Sequence, residues 1–289
     1  MDLFDYMKET TLEKESPLAS RMRPATLDEA LALLRDTGAV PYAGGTDLMV
    51  ENRPCISYLF IGHLPELRQI RADDTLLRIG AAVTFTQALE SDLVPALMKE
   101  ALSRIAAPAI RNAGTFGGNI GNGSAKADTV LIEYVCDASL RLVSAGGERI
   151  LPIQAFYKGR KELDLAPGEL IAEILLPRTG LDNYYYKKVG GRNALAISRV
   201  SFAGIIDMDG ERIRHIAAGF GAVSGTVLRM RELEEMLEGK TLKEARALKP
   251  ELMKRYEERM ELTTGRVSAA YRKAVCLNLL GDFLEEKGI

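Results

Sequence analysis

An apolar segment runs directly into a glycine pair in the stretch Pro41-Tyr42-Ala43-Gly44-Gly45-Thr46-Asp47-Leu48-Met49. The pattern returns in Gly114-Thr115-Phe116-Gly117-Gly118-Asn119-Ile120-Gly121-Asn122-Gly123-Ser124-Ala125-Lys126-Ala127-Asp128. Because glycine lacks a Cβ and tolerates positive φ, paired glycines let several backbone N–H groups converge on one point. Such a concavity binds anions, and phosphate is a common one. The two stretches together predict a ligand whose extended phosphate group is held from two sides.

Neither stretch matches a common nucleotide-binding fingerprint. No G-x-G-x-x-G follows a predicted strand, which argues against a Rossmann dinucleotide site. No G-x-x-x-x-G-K-[ST] occurs, which excludes an ATP-hydrolysing P-loop. Each glycine pair taken alone could be an ordinary tight turn, and the presence of two similar loops favours the ligand site.

Length and composition indicate a globular protein of more than one unit. At 289 residues the chain exceeds the usual single domain, and 47% of its residues are hydrophobic. The formal net charge is −2, which gives no electrostatic reason to expect nucleic acid or an anionic membrane as a partner. The N-terminal residues 1–6 lack the apolar run of a signal peptide, and no segment reaches the ~20 apolar residues of a membrane span. These features predict a cytoplasmic protein.

Cysteine and histidine are too few for the usual metal and disulfide frameworks. Cys55, Cys136 and Cys276 are widely spaced, which excludes a disulfide framework, a CxxC motif and an all-cysteine iron–sulfur cluster. With only His63 and His215, an all-protein zinc site would need several acidic helpers. No metal site is therefore predicted.

Hydrophobic periodicity and turn residues predict an α+β chain of three units, at residues 1–60, 61–177 and 178–289. The first is a small α/β unit. Its helix is opened by a capping-box pattern at Thr26 and Glu29, and Gly38 ends it. Two strands are predicted beside this helix, at residues 39–42 and 56–61.

The middle unit is predicted to contain hairpins, helices and a closing strand. Thr84 and Gln87 form another capping-box pattern, and the second glycine stretch is predicted as a loop that runs from Pro108 to about Ser124. The predicted elements are a hairpin of 68–71 with 76–79, helices at 95–106 and 125–138, a hairpin of 140–143 with 149–152, and a strand at 170–176 before Pro177.

The third unit is predicted to be an antiparallel sheet followed by helices. Its strands are predicted at residues 184–189, 199–207 and 212–220. Its helices are predicted at residues 231–237, 242–247, 251–262 and 268–284.

The two glycine stretches resemble the FAD loops of the molybdenum hydroxylase flavoproteins. These proteins are the medium, FAD-carrying subunits of enzymes such as xanthine dehydrogenase, aerobic carbon monoxide dehydrogenase and nicotinate dehydrogenase. The resemblance extends over nearly the whole chain, through Leu76-Leu-Arg-Ile-Gly-Ala-Ala-Val-Thr-Phe85, Phe156-Tyr-Lys-Gly-Arg160, Tyr186-Lys-Lys-Val189 and Ala270-Tyr-Arg-Lys273. It implies a two-part FAD-binding fold, a small α/β unit plus a larger α+β unit, followed by a C-terminal antiparallel sheet with helices.

The resemblance also implies which residues hold the cofactor. In the family the first loop wraps the FAD pyrophosphate with backbone amides, which here implies Pro41, Tyr42, Ala43, Gly44, Gly45, Thr46, Asp47 and Leu48. From the second loop, the implied contacts are Thr115, Phe116, Gly117, Gly118, Asn119, Asn122 and Asp128. Ile105 and Lys188 match positions near the flavin. Each of four residues also has an explanation without a cofactor. Ile105 could simply pack in the core, and Lys188 could be a solvated surface lysine. Asp47 could be the N-cap of a following turn, and Asp128 could be a carboxylate on the face of a helix.

The implied function is electron transfer, in which the flavin carries the redox chemistry and no side chain of this chain is catalytic. A [2Fe–2S] subunit would deliver electrons, a molybdopterin subunit would oxidise the substrate, and NAD is the expected acceptor. The alternative is a self-contained FAD oxidase or reductase with the same cofactor-binding fold. A scaffold without flavin is a third alternative, which the intact glycine stretches disfavour.

Overall fold

The structure is a computed structural model, and it describes residues 20–51, 55–192 and 195–289. The residues 1–6 used in the signal-peptide prediction lie outside this range, as does part of the predicted first unit. Within the range, no helix combines the length and the apolar character that crossing a bilayer requires.

The first unit is a three-stranded parallel sheet with one helix against it. Its strands lie in the order β1-β3-β2. The elements are β1 (Arg21–Met22), α1 (Leu27–Thr37), β2 (Val40–Tyr42), a short α2 (Leu48–Glu51) and β3 (Tyr58–Phe60). Helix α1 begins and ends as predicted: the Thr26 hydroxyl accepts from the Glu29 N–H, and Gly38 follows with φ of 63°. The Glu29 carboxylate accepts from the Ala25 N–H at 2.6 Å instead of from Thr26, so only half of the capping box forms.

The middle unit is a five-stranded antiparallel sheet in the order β4-β5-β10-β6-β7, with helices on it. Both predicted hairpins are present, and the Thr84–Gln87 capping box is complete. The elements are β4 (Ile70–Ala72), β5 (Leu76–Gly80), α3 (Phe85–Glu90), α4 (Ala96–Ser103), α5 (Pro108–Arg111), α6 (Phe116–Gly121), α7 (Asp128–Val135), β6 (Ser139–Ser144), β7 (Gly147–Pro152), α8 (Ile153–Phe156), β8 (Tyr157–Gly159), β9 (Glu162–Leu163) and β10 (Leu170–Pro177).

The prediction of one long loop from Pro108 to Ser124 is wrong. Pro108 occupies the first turn of α5, where its missing N–H costs no helical hydrogen bond. Thr115 caps α6 by accepting from the Gly118 N–H, so the second glycine pair lies inside a short helix. Glycines lower helix propensity, but this capping and the burial of Phe116 and Ile120 hold the turn in place.

The third unit is a four-stranded antiparallel sheet in the order β11-β12-β13-β14, with helices on one face. Its elements are β11 (Tyr184–Val189), β12 (Val200–Asp209), β13 (Arg212–Gly221), β14 (Leu228–Arg229), α9 (Arg231–Glu234), α10 (Leu242–Arg259) and α11 (Ala269–Glu286). The predicted gap between helices at 242–247 and 251–262 is wrong, since α10 runs through it with Pro250 inside the helix. Proline removes one helical hydrogen bond, but Leu252 and Tyr256 beyond it are buried in the core and keep the helix continuous.

The middle and third units share a core. Val130, Leu131 and Val135 of α7 belong to the same hydrophobic cluster as Ala203 and Ala217 of the third sheet. Helix α7 is therefore buried between the two sheets, which is why all eight of its residues are inaccessible. The unit boundaries at residues 60 and 177 remain a prediction.

Arg229 ties the two units together through carboxylates from both. Its guanidinium lies 2.8 Å from Asp137 of the middle unit and 2.9 Å from Glu234 of the third unit. The Arg229 and Glu234 side chains are each only 3% exposed. Burying a guanidinium without a counter-ion is costly, so this arrangement favours one relative position of the two units.

Glu133 is a fully buried carboxyl group in α7. Neither of its carboxyl oxygens has a hydrogen-bond partner within the described residues, and burial raises the pKa of this group to about 8. A neutral carboxyl is the form that such a site tolerates. The folded protein therefore holds a proton at Glu133 between about pH 4.5 and about pH 8, where the unfolded chain does not.

We expect the free energy of unfolding to fall as pH rises from about 4.5 to about 8. The reason is that the native state binds more protons than the unfolded state over this range. Glu133→Gln cannot ionise, so the margin given by its free energy of unfolding minus that of wild type should increase with pH, by about 1.4 kcal/mol per pH unit. Urea denaturation at pH 5 and pH 8 measures this margin, with the exposed Glu257→Gln as control. A margin that does not change with pH would disprove the assignment.

Candidate functional site

A cleft of about 400 Å³ opens where the two glycine stretches meet. This volume is within the range of small-molecule sites. Most of the residues predicted to bind the cofactor line it, namely Pro41, Ala43, Gly44, Gly45, Thr46, Asp47, Leu48, Thr115, Gly117, Gly118, Asn119 and Asn122. The structure thus brings together two stretches that are about 70 residues apart in the chain.

The first glycine stretch is shaped by close contact with the second. A Cβ on Gly44 would lie 1.8 Å from the Ala113 carbonyl oxygen, so only glycine fits at this crossing. Gly45 has φ of +68°, which L-residues with a side chain rarely adopt. These two conditions explain why a Gly-Gly pair is required directly after β2.

The amides of this stretch are available to a ligand. Within the described residues, the N–H groups of Gly44, Gly45, Thr46 and Asp47 donate to no protein acceptor. The Thr46 hydroxyl likewise has no protein partner in the described part of the chain. Most backbone N–H groups in folded proteins are paired, and a run of unpaired ones at a turn is the usual form of an anion site. The first stretch therefore fits a pyrophosphate.

Asp47 joins the two stretches. Its carboxylate accepts a hydrogen bond of 3.0 Å from the Asn122 side-chain amide. Asp47 directly precedes α2 and its carbonyl accepts from the Val50 and Glu51 N–H groups, while its side chain is directed to Asn122. Asp47 and Asn122 therefore span the cleft between the two stretches.

The second stretch uses its amides internally, contrary to the prediction of a second N–H cradle. The Phe116 N–H donates to the Val83 carbonyl at 3.2 Å, and the Gly117 N–H donates to the Ala81 carbonyl at 2.8 Å. The Gly118 N–H is occupied by the Thr115 hydroxyl. The glycines here serve close packing, since a Cβ on Gly117 would lie 2.6 Å from that of Ala81. The N–H groups of these three residues are therefore not available to a ligand in the cleft.

Five of the predicted residues do not line the cleft, and three of these have large apolar or aromatic side chains packed elsewhere. The Tyr42 ring packs on Tyr58 and Phe60, with ring centroids 5.5 Å and 4.8 Å away. Phe116 has no exposed surface and packs edge-on against Phe85. Ile105 packs against the main hydrophobic core, in agreement with the alternative given for it. Their side chains support the walls of the cleft from behind.

Asp128 and Lys188 form a buried ion pair between the middle and third units. Lys188 Nζ lies 2.7 Å from the Asp128 carboxylate and donates to the Arg104 carbonyl at 2.9 Å. Ser198 donates to the other Asp128 oxygen at 2.8 Å. The interpretation of Lys188 as a solvated lysine is wrong, since its side chain is 8% exposed. Neither residue lines the cleft, and their contact with the cofactor remains a prediction.

The sequence did not predict the other residues that line the cleft. Lys161 and Glu51 approach each other to 3.5 Å, and both line it. Lys161 lies in the turn between β8 and β9, next to the Phe156-Tyr-Lys-Gly-Arg160 motif, which could have signalled it. The remaining lining residues are Val40, Ile61, Ala81, Ala82, Phe85, Gly114, Gly121, Leu165, Glu169, Leu170 and Ile171. Across the described ranges, no group of three or more His, Cys, Asp or Glu side chains is placed to hold a metal ion.

Together, the fold and the cleft define a two-part binding site for an extended, phosphate-bearing cofactor. Two family models match this sequence. The model of the FAD binding domain in molybdopterin dehydrogenase matches residues 17–179, and the model of the CO dehydrogenase flavoprotein C-terminal domain matches residues 184–287. The chain therefore belongs to the FAD-binding flavoprotein family of the molybdopterin dehydrogenases, and the resemblance, the fold class and the FAD cofactor predicted from the sequence are confirmed.

Named relatives agree with this assignment. The chain is 35% identical over 229 residues to the xanthine dehydrogenase FAD-binding subunit of Escherichia coli O157:H7, covering 75% of this chain and 78% of the relative. It is 30% identical over 285 residues to the nicotinate dehydrogenase FAD-subunit of Eubacterium barkeri, covering 91% and 95%. A chain of reconstituted CO dehydrogenase from Oligotropha carboxidovorans superposes with a TM-score of 0.83 at 27% identity, covering 92% and 96%. The protein is thus an oxidoreductase subunit.

We expect Gly118→Asp to weaken FAD binding by roughly 10- to 100-fold, because a carboxylate in the cleft would repel the pyrophosphate. A Cβ at this position would meet only the Thr115 hydroxyl, at 2.9 Å, so Gly118→Ala is a matched steric control with a much smaller loss. Fluorescence titration of the apoprotein with FAD measures both affinities. Equal affinities for the two variants would show that the phosphates lie elsewhere.

Proposed function

We propose that this chain is the electron-transfer flavoprotein of a molybdenum hydroxylase complex, with FAD held in the cleft between the two glycine stretches. The observation that carries the proposal is the run of unpaired amides at residues 44–47 on one wall of that cleft. Those amides and the Thr46 hydroxyl would hold the pyrophosphate. The second stretch, with Gly117 and Gly118, would cover the opposite side of the cofactor without donating these amides.

The chain's own residues position and enclose the cofactor. Asp47 and Asn122 fix the spacing of the two walls by their hydrogen bond, and Lys161 with Glu51 covers the far end. The bound flavin supplies the redox chemistry, because it can accept electrons singly and release a pair as hydride. The protein's contribution is therefore binding, orientation and the local electrostatic field.

The partners we propose are a [2Fe–2S] subunit that delivers electrons and a molybdopterin subunit that oxidises the substrate. NAD⁺ is the proposed acceptor, and the cytoplasm the proposed location. The support comes from relatives that are FAD-binding or medium subunits of dehydrogenases. In such a complex the partner subunits would supply two electrons from the substrate, and the role of this chain would be to hold the flavin through which they reach NAD⁺, which would take up the two electrons and a proton as NADH.

The experiment compares the isolated, FAD-loaded chain with the assembled complex under anaerobic conditions. The isolated chain should be reduced by NADH, seen as bleaching of the flavin absorbance, and should be unaffected by purines, nicotinate, aldehydes or carbon monoxide. Reduction by one of these organic or gaseous substrates should require the other two subunits. Turnover of an organic substrate by the isolated chain alone would instead support the self-contained oxidase or reductase.

A further inference from the structure

A second pocket, separate from the cleft, is lined by cationic side chains. It has a volume of about 270 Å³ and lies between the loop before α7 and the third unit. The described residues that line it include no aspartate or glutamate. They are Lys126, Gly191, Arg192, Ala196, Ile197, Ser198, Arg199, Arg266, Val267 and Arg272. Five positive charges therefore converge on a space without a lining carboxylate.

Arg272 is the buried member of this group. Its residue is 5% exposed, and its Nε has no hydrogen-bond partner within the described residues. One terminal nitrogen donates to the carbonyl and the hydroxyl of Thr263, both of which are uncharged. A guanidinium is protonated at all physiological pH values, so its charge is buried here without a carboxylate in the described part of the chain.

Two other buried cations of this protein have the carboxylate partners that Arg272 lacks among the described residues. Arg229 has Asp137 and Glu234, and Lys188 has Asp128. Burying a charge without a counter-ion costs several kcal/mol, which is why such groups are normally paired. Arg272 is the exception among these three, and an anion that enters the pocket would supply the missing partner.

Two of the guanidinium groups lie directly against glycine residues. A Cβ on Gly265 would lie 2.5 Å from a terminal nitrogen of Arg272, and a Cβ on Gly191 would lie 3.1 Å from one of Arg199. Among the described residues, the side chains of Arg199, Arg266 and Lys126 form no ion pair. They are therefore available to a ligand, and the planar guanidinium fork is well matched to phosphate oxygens.

We propose that this pocket, the Arg272 pocket, is a binding site for a phosphate or diphosphate group. Its volume is just below the range of complete small-molecule sites, so it holds the phosphate part of a ligand and not a whole dinucleotide. The source is either a free phosphate or diphosphate ion or the phosphates of a nucleotide that extends out of the pocket. The proposal does not depend on NAD⁺ being the electron acceptor.

The test is calorimetric titration of the FAD-loaded protein with diphosphate, at an ionic strength kept constant with chloride. Bound FAD keeps the anion out of the first cleft. We expect one saturable site, weakened at least tenfold by the double variant Arg199→Gln/Arg266→Gln. Lys273→Gln removes the same kind of charge from α11 outside the pocket and should change the affinity less than twofold.

Two further arms complete the design. NAD⁺ cannot reduce the oxidised flavin, so displacement of diphosphate by NAD⁺ identifies a nucleotide as the source, whereas no displacement identifies the free ion. Arg272→Gln should abolish the saturable site. If the Arg272→Gln protein does not fold, the diphosphate affinity of the double variant Arg199→Gln/Arg266→Gln tests the proposal instead. Absence of saturable binding, or equal affinity in wild type and the double variant, would mean an adventitious ion only and would overturn the proposal. Neither result would affect the proposed function, whose test is flavin reduction.

Discussion

Gly44→Ala is expected to yield a folded protein that is purified largely without FAD. The added methyl carbon would start 1.8 Å from the Ala113 carbonyl oxygen, so the first glycine stretch must move away from the second. Overpacking of this kind costs about 1–3 kcal/mol or more, and the displacement removes the run of amides at residues 44–47 from the cleft. We expect FAD affinity to fall at least about 100-fold.

The measurement is the flavin-to-protein ratio after desalting, followed by titration of the apoprotein with FAD. Gly146→Ala is the matched control, because its Cβ would meet nothing nearer than the Ser144 hydroxyl at 3.8 Å in an exposed hairpin turn. Circular dichroism of both variants separates loss of the fold from loss of the cofactor. Full flavin content in a folded Gly44→Ala protein would show that the contact of the two stretches does not shape the site.

Lys188→Met is expected to lower the free energy of unfolding by about 3–5 kcal/mol, because it leaves the Asp128 carboxylate buried without its counter-ion. The lysine also donates to the Arg104 carbonyl, so one substitution removes two contacts between the third and middle units. Chemical denaturation measures the loss. Lys187→Met, at the exposed neighbouring position of the same strand, is expected to cost less than about 1 kcal/mol.

A double variant separates the charge from the packing. Asp128→Asn combined with Lys188→Met removes both charges and should recover at least half of the stability lost in Lys188→Met, since replacing a buried pair is far cheaper than breaking it. Ser198 retains an acceptor in the asparagine side chain. Additive losses in the double variant would show that the two side chains do not interact energetically.

Local signals in the sequence predicted most elements of the fold. The Thr26 cap and Gly38 bounded α1, and the turn residues at 207–210 indicated how two of the three predicted strands of the third unit are joined. Several short strands were missed, and two predicted interruptions, after Pro108 and between residues 247 and 251, are wrong. Pro108 starts a helix, and Pro250 lies inside one that is stabilised by buried residues distant in the chain. Tertiary burial overrides local propensity in such places.

The site was predictable only in part, for a similar reason. Glycine pairs indicated which stretches approach a ligand, but not which of their amides remain unpaired. The Gly117 N–H is used by the Ala81 carbonyl, a contact that only the folded chain creates. The Arg272 pocket combines side chains from positions 126 to 272, none of which forms a motif with another. Such long-range juxtaposition leaves no pattern in a single sequence.

The central claim is that FAD bound between the glycine stretches carries electrons from the complex to the acceptor. It is tested by following NADH formation with the substrate of the complex, using complexes assembled with the wild-type chain and with flavin-free Gly44→Ala. We predict that substrate reduces the iron–sulfur centres in both complexes, and that NADH forms only with the wild-type chain. NADH formation at an undiminished rate in the flavin-free complex would contradict the account.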